Sequence, residues 1–154
     1  MKILWITNSI FPAPSKELGN PAPIYGGWMY NLAENLALSN KLAIATVYDG
    51  IELKKYMIDN VVYYLLPSKS TIKYIKNLEE VWKKVIEEFE PDIVHIHGTE
   101  YAPALACMRS CPSLKYIISI QGLISAIANY YFGGIRNLDI IRNITFRDVV
   151  KKDT

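Results

Sequence analysis

The first 36 residues constrain the fold more than any other part of this chain. Residues 2–7 form a short apolar run, as expected for a β-strand that is buried on both faces of a parallel sheet. A Pro-rich loop follows and leads to Gly26 and Gly27. Apolar side chains between residues 29 and 36 then recur at i, i+3, i+4 and i+7, the spacing of an amphipathic helix. The segment therefore predicts a strand, a long loop and a helix that begins at two glycines.

The two glycines matter because they stand where a helix begins. The first N–H groups of a helix have no partner within it, and the helix dipole adds partial positive charge there. Glycines let the backbone approach a phosphate without a Cβ in the way, so Gly26 and Gly27 are candidates for a diphosphate site. The segment does not match the G-x-G-x-x-G fingerprint. A second interpretation stays open, in which the glycines only supply unusual backbone angles.

The rest of the chain continues the alternation of strands and helices. This order predicts an α/β fold with a mostly parallel sheet and right-handed crossovers. A run at 56–58 before the polar pair Asp59-Asn60 is predicted as an edge strand or a loop. Further strands are predicted at 41–48, 61–66, 92–98 and 115–120, and helices at 78–89 and 101–110.

In parallel sheets ligands bind beyond the carboxyl ends of the strands, where the strand order reverses. We expect three such ends, at residues 8–9, 98–100 and 121–122, to open onto one crevice together with the two glycines. Glu100 is the carboxylate nearest to this crevice, where it orients or deprotonates an acceptor hydroxyl or else caps the next helix. His97 stands at a strand end and could serve function or structure equally. His95 is interpreted as a hydrogen-bonded core histidine.

Composition excludes several classes of protein. With 154 residues and 51% hydrophobic residues, the chain can form one core without disulfides. A net charge of +2 is too small to indicate a nucleic-acid partner. Cys107 and Cys111 are four residues apart on a predicted helix and are expected to pack, without a metal. We expect a cytoplasmic protein, because free cysteines suit a reducing compartment and no apolar run is long enough to span a bilayer.

Two further segments carry predictions with alternatives. The loop at 8–25 contains four prolines and is longer than ordinary connections, which indicates a binding lid or disorder. Residues 137–150 are predicted to form a basic amphipathic helix. Its apolar face would meet a membrane surface, a partner or further strands of the sheet, and the last is preferred.

Several of these stretches together resemble a known family. They are residues 2–7, the Pro-rich loop that ends in Gly26-Gly27-Trp28, the run at 91–98 and the turn after 118–120. In this order and spacing they resemble the N-terminal half of a GT-B glycosyltransferase. They are most similar to the retaining glycosyltransferase family four.

The resemblance implies a Rossmann-like three-layer sandwich that forms the acceptor-side domain of a larger enzyme. Residues 1–154 would be that domain, incomplete at its C-terminal end and without the donor-binding domain, so the isolated chain would be inactive. The complete enzyme would transfer a sugar, with retention of configuration, from a UDP- or GDP-linked donor to a glycan or lipid-linked acceptor, in bacterial surface polysaccharide synthesis. No cofactor, metal or nucleic acid is implied. Peripheral contact with the inner face of the cell membrane is compatible with such an acceptor.

The resemblance also implies roles for individual residues. Gly26 and Gly27 would contact the donor phosphates. His97, at a strand end where the family often places a polar residue, and Glu100, the carboxylate nearest to the crevice, are the candidate catalytic residues. Contacts to the acceptor or the transferred sugar are implied for five further residues: Asn8, Gly98, Thr99, Gln121 and Gly122.

Gln121 departs from the family pattern, in which histidine commonly follows this strand. An amide hydrogen-bonds a sugar but cannot act as a general base near neutral pH.

Two other functions stay open. One is a Rossmann-like module that binds a nucleotide or partner without chemistry, and the other is the scaffold subunit of a split transferase.

Overall fold

The structure is a computed structural model that describes residues 1–24, 27–120, 122, 124–130 and 133–146. The chain divides into two compact units, residues 1–121 and 122–154.

The first unit contains a six-stranded sheet with the strand order β3-β4-β2-β1-β5-β6. Five strands run parallel, and β3 pairs antiparallel with β4 at one edge. The strands are β1 (Lys2–Ile6), β2 (Lys41–Tyr48), β3 (Lys54–Ile58), β4 (Val61–Pro67), β5 (Ile93–His97) and β6 (Tyr116–Ser119). The helices of this unit are α1 (Pro12–Glu17), α2 (Gly27–Ala37), α3 (Leu78–Phe89) and α4 (Ala102–Ser110).

Both faces of the sheet are apolar because successive side chains of a strand point to opposite sides. On β1, Leu4 and Ile6 join one core cluster, which also contains side chains of α3 and α4. Trp5, between them, joins a second cluster with Phe11 and with Met29 of α2. The prediction of an α/β fold with a mostly parallel sheet is thus confirmed, and the arrangement is consistent with a Rossmann-like fold.

Helix α3 shows how the sequence pattern becomes packing. Its apolar stripe buries Leu78, Trp82 and Val85 against the sheet, while its charged residues lie on the other side. The buried Trp82 donates a hydrogen bond from Nε1 to the carbonyl oxygen of Pro103, 2.9 Å away, at the start of α4. Two helices on the same face of the sheet are therefore joined at a defined point.

The edge of the sheet agrees with the sequence as well. The run at 56–58 belongs to β3, and the pair Asp59-Asn60 forms the tight turn to β4. Both turn residues have positive φ, 48° and 64°, which Asp and Asn tolerate better than most residues. The alternative that this run is only a loop is wrong.

The Pro-rich loop contains an element that the sequence analysis missed. Residues Pro12–Glu17 form α1, so the alternative of disorder is wrong for this part of the loop. Proline suits the first turn of a helix, where its missing N–H would have no partner anyway. Phe11 and Pro14 are buried, and this packing fixes the short helix against the sheet.

The second unit holds α5 (Ile124–Asn129) and α6 (Asn137–Arg142). The predicted helix at 137–150 is thus shorter than expected, and its residues 147–150 lie outside the described part of the chain. The helix ends because Asn143 caps it: the side-chain Nδ2 donates to the carbonyl oxygen of Asp139 at 2.7 Å. None of the described helices is both long and apolar enough to cross a membrane.

Candidate binding crevice at the carboxyl ends of the strands

The strand order reverses between β1 and β5. From β1 the chain builds the sheet toward β2 and β4, and α3 then carries it back to β5 on the other side of β1. Ligands of open α/β sheets bind outside the carboxyl ends of the strands at such a point. Residues that follow β1 and β5, and the first turn of α2, are therefore the structural candidates for a binding site.

His97 is the last residue of β5 and is the least ordinary side chain at this point. It is only 3% exposed, and neither ring nitrogen has a hydrogen-bond partner in the described part of the chain. Burial, with a smaller contribution from His95, lowers the pKa of His97 to about 4. The imidazole is therefore neutral at physiological pH and carries one N–H donor and one nitrogen acceptor.

Three aromatic side chains surround His97. The ring centroids of Trp5, His95 and Trp28 lie 4.4, 4.1 and 5.9 Å from that of His97. The indole Nε1 of Trp5 is also buried without a partner among the described residues. We call these four residues the Trp–His cluster. It places two unsatisfied polar groups beside each other, and such groups are rare in native interiors unless a ligand or water serves them.

His95 agrees with its interpretation as a hydrogen-bonded core residue. Its Nε2 lies 2.7 Å from the hydroxyl oxygen of Ser119 on β6. Partial burial lowers the pKa of His95. His97 is the more buried of the two.

Trp28 connects the cluster to the start of α2. It is 55% exposed and follows Gly27, the first residue of the helix. The φ angle of Gly27 lies outside the left-handed region, and a Cβ built on it would meet no atom within 4 Å. At Gly27, then, neither backbone strain nor packing requires a glycine, and the space beside it is open to a ligand. Gly26 lies outside the described residues.

Gly98 and Glu100 adopt a specific arrangement after β5. Gly98 has a φ of 95°, and a Cβ there would lie 2.5 Å from Oε2 of Glu100. The Glu100 carboxylate thus folds back over Gly98. Helix α4 starts after Tyr101, and among the described residues the Glu100 carboxylate accepts no hydrogen bond from the N–H groups of its first turn. Thr99 is exposed.

A larger cavity lies beside this point, over the ends of β1, β2 and β4. Its volume is about 590 Å³, within the usual range of small-molecule sites. Asn8 lines it and also lines a smaller pocket together with His97 and Gly98. Asn8 therefore lies between the cavity and the Trp–His cluster. The other polar residues of the cavity include Ser9, Tyr48, Asp49, Ser68, Lys69, Ser70 and Thr71.

The structure brings together part of the predicted site. Asn8, His97 and Gly98 meet at one pocket, and Gly27 is connected to it through Trp28. Gln121 lies outside the described residues, and Gly122 belongs to the second unit. The sequence analysis missed the contribution of β2 and β4. The polar run Ser68-Lys69-Ser70-Thr71, directly after the apolar β4, is the signal that indicates it.

The described residues contain no group of three or more His, Cys, Asp or Glu side chains placed to hold a metal ion. Comparison of the chain with protein-family models, curated proteins and solved structures finds no significant match.

Proposed function

We propose that this chain is the acceptor-side domain of a retaining, nucleotide-sugar-dependent glycosyltransferase, with the three-layer Rossmann-like architecture of the N-terminal half of a GT-B enzyme. The observation that carries the proposal is the pair of buried polar groups on His97 and Trp5, which have no hydrogen-bond partner among the described residues and lie next to the open helix start at Gly27. A nucleotide sugar presents an anionic diphosphate beside a hydroxyl-rich ring. The site offers complementary groups for both.

The diphosphate is assigned to the start of α2. This helix has 11 residues, so its dipole and its free N–H groups favour an anion at Gly27. A side chain at Gly27 would project into the space that the phosphate occupies. Because nothing else in the described structure requires glycine there, close approach of a ligand is the best physical reason for it.

The sugar is assigned to the Trp–His cluster. A hydroxyl group both donates and accepts a hydrogen bond, which matches a neutral imidazole and an indole N–H better than a phosphate does. With a pKa of about 4, His97 is a weak base at pH 7, so we assign it to hydrogen bonding of the sugar and not to proton transfer. The pocket beside His97 has a volume of only about 10 Å³, so the cluster must open before a sugar reaches His97.

The acceptor, a glycan or lipid-linked sugar, is assigned to the cavity of about 590 Å³. Asn8, which borders both spaces, would contact the acceptor where it meets the donor sugar. Glu100 is the proposed group that orients the reacting hydroxyl. The departing diphosphate oxygen takes the acceptor proton on the same face of the sugar. This domain then contributes position and electrostatic stabilisation.

The test uses the complete product of the gene. Calorimetric titration with UDP-glucose and GDP-mannose should give micromolar binding to one of them, and chromatography should detect the free nucleotide released with acceptor. Gly27→Trp should weaken binding by at least roughly tenfold, about 1.4 kcal/mol. The control is Leu38→Trp, because Leu38 is 85% exposed just beyond the other end of α2. It should bind like the wild type.

Three results would redirect the interpretation. No binding by a folded, complete product excludes the transferase. Binding without nucleotide release, and without any acceptor that promotes it, supports a non-catalytic binding module. Turnover by the 154-residue chain alone contradicts the expectation that transfer needs a separate donor-binding domain.

A further inference from the structure

A second cavity lies beside α2, at the amino end of β4. Its volume is about 500 Å³, within the usual range of small-molecule sites. Its lining comes from Phe11 and the start of α1, from α2 between Tyr30 and Ala37, and from the turn before β4. None of the described residues that line it also lines the crevice or the cavity of about 590 Å³. It is therefore a separate candidate site, which we call the second cavity.

Three aromatic side chains line the second cavity. The ring centroid of Phe11 lies 4.7 Å from that of Tyr30 and 6.0 Å from that of Tyr63, and the rings are tilted or edge-to-face. Phe11 and Tyr63 belong to the core cluster on this face of the sheet, so their positions are fixed by packing. Aromatic rings bind an apolar body, and their negative faces attract a cation.

The charged side chains of the second cavity have one sign. Glu34 and Asp59 line it, and no Lys, Arg or His side chain does so among the described residues. Neither carboxylate forms an ion pair within the described part of the chain. The end of α2 adds the negative pole of the helix dipole. The electrostatic field in this cavity therefore favours a positively charged ligand.

Tyr63 connects the aromatic and the acidic parts of the second cavity. It is only 8% exposed, and its hydroxyl group takes part in none of the hydrogen bonds among the described residues. Burial, with smaller contributions from Asp59 and Glu34, raises the pKa of Tyr63 to about 12. Both carboxylates thus act on the same phenol. A buried tyrosine hydroxyl usually has a hydrogen-bond partner, and a ligand in this cavity would supply one.

We propose that the second cavity binds a small organic ammonium ion with an apolar body. The ammonium group lies between Glu34 and Asp59 and donates a hydrogen bond to the hydroxyl oxygen of Tyr63. The apolar body lies against Phe11 and Tyr30. An anionic ligand fits less well, because both carboxylates repel it. The proposal does not depend on the transferase assignment, since the two sites share no described residue.

The test is NMR titration of the ¹⁵N-labelled 154-residue chain with phenethylamine, which is an ammonium ion at about pH 7. Phenethyl alcohol is the neutral ligand of nearly the same shape. Phenethylamine should bind with a dissociation constant of about 1 mM or below, at least roughly tenfold tighter than the alcohol. The amides of Glu34, Asp59 and Tyr63 should shift, while that of Gly98 in the crevice should not.

Charge-removing variants test the carboxylates. Glu34→Gln and Asp59→Asn should each weaken phenethylamine binding roughly three- to fivefold and leave binding of the alcohol unchanged. Asparagine tolerates the φ of 48° at this turn as aspartate does. Tyr63→Phe should weaken phenethylamine binding roughly threefold, because the ammonium group loses an acceptor.

The matched control is Glu87→Gln, since Glu87 is an exposed carboxylate on α3, which packs on the other face of the sheet. It should bind phenethylamine like the wild type. Equal affinity for the amine and the alcohol would overturn the proposal, as would losses in Glu87→Gln as large as those in Glu34→Gln. So would the absence of phenethylamine binding by the folded wild type at about 10 mM. Circular dichroism checks that each variant is folded.

Discussion

Substitution of His97 by Gln tests whether a neutral histidine is buried beside the candidate site. An imidazole has a pKa near 6.5 in the unfolded chain and about 4 in the folded chain. Between these values the unfolded chain binds a proton that the folded chain does not, so the free energy of unfolding falls as the pH falls. This difference in pKa lowers the free energy of unfolding by roughly 3 kcal/mol once the pH is below both pKa values.

The assay is urea unfolding of the wild type and His97→Gln at about pH 7 and about pH 4.5. At about pH 4.5, the proton that binds His97 only in the unfolded chain lowers the free energy of unfolding by roughly 2–3 kcal/mol. The wild type should lose that much more stability on acidification than the variant, because glutamine does not titrate. His95→Gln is the matched control. His95 has a lowered pKa but is only partly buried and hydrogen-bonded to Ser119, so its variant should keep most of the wild-type pH dependence. Identical pH dependence in the wild type and His97→Gln would refute the burial of a neutral His97.

Three other substitutions test the packing and the site. Gly98→Ala should lower the free energy of unfolding by roughly 1–2 kcal/mol, because its φ of 95° strains an L-residue, and an unchanged urea midpoint would contradict this. Trp82→Phe should cost roughly 1–3 kcal/mol, because it removes the buried hydrogen bond to Pro103 and part of the buried side-chain volume, and an unaltered unfolding curve would contradict this. Gly27→Ala should keep or slightly raise the melting temperature while weakening nucleotide-sugar binding, and unchanged binding would exclude a phosphate at Gly27.

The sequence predicts best those elements whose apolar pattern is compatible with only one secondary structure. The strand β2 has a continuous apolar run, and α3 has an uninterrupted apolar stripe, so burial alone fixes both. The helix α1 was missed because its prolines argue against a helix. Only the tertiary packing of Phe11 and Pro14 shows that these prolines occupy the first turn of α1.

The candidate site was predictable in outline only. The alternation of strands and helices predicts ligands at the carboxyl ends, and Asn8 and Gly98, which follow two of these ends, line one pocket in the structure. The cavity over β2 and β4 depends on which strands become neighbours of β1, and local patterns do not determine pairing. The burial of His97 likewise depends on Trp5 and Trp28, which are distant in the sequence and meet only in the fold.

The most direct test of the central claim is to observe where a nucleotide sugar contacts this domain. The ¹⁵N-labelled 154-residue chain would be titrated with UDP-glucose and GDP-mannose at millimolar concentration and followed by NMR. The account predicts shifts of the Gly27 and Gly98 amides and of the Trp5 and Trp28 indole N–H groups. The amide of Lys41, at the amino end of β2 and away from the crevice, should stay unchanged. Shifts confined to other parts of the domain, or no shifts from a folded chain, would contradict the assignment of the crevice.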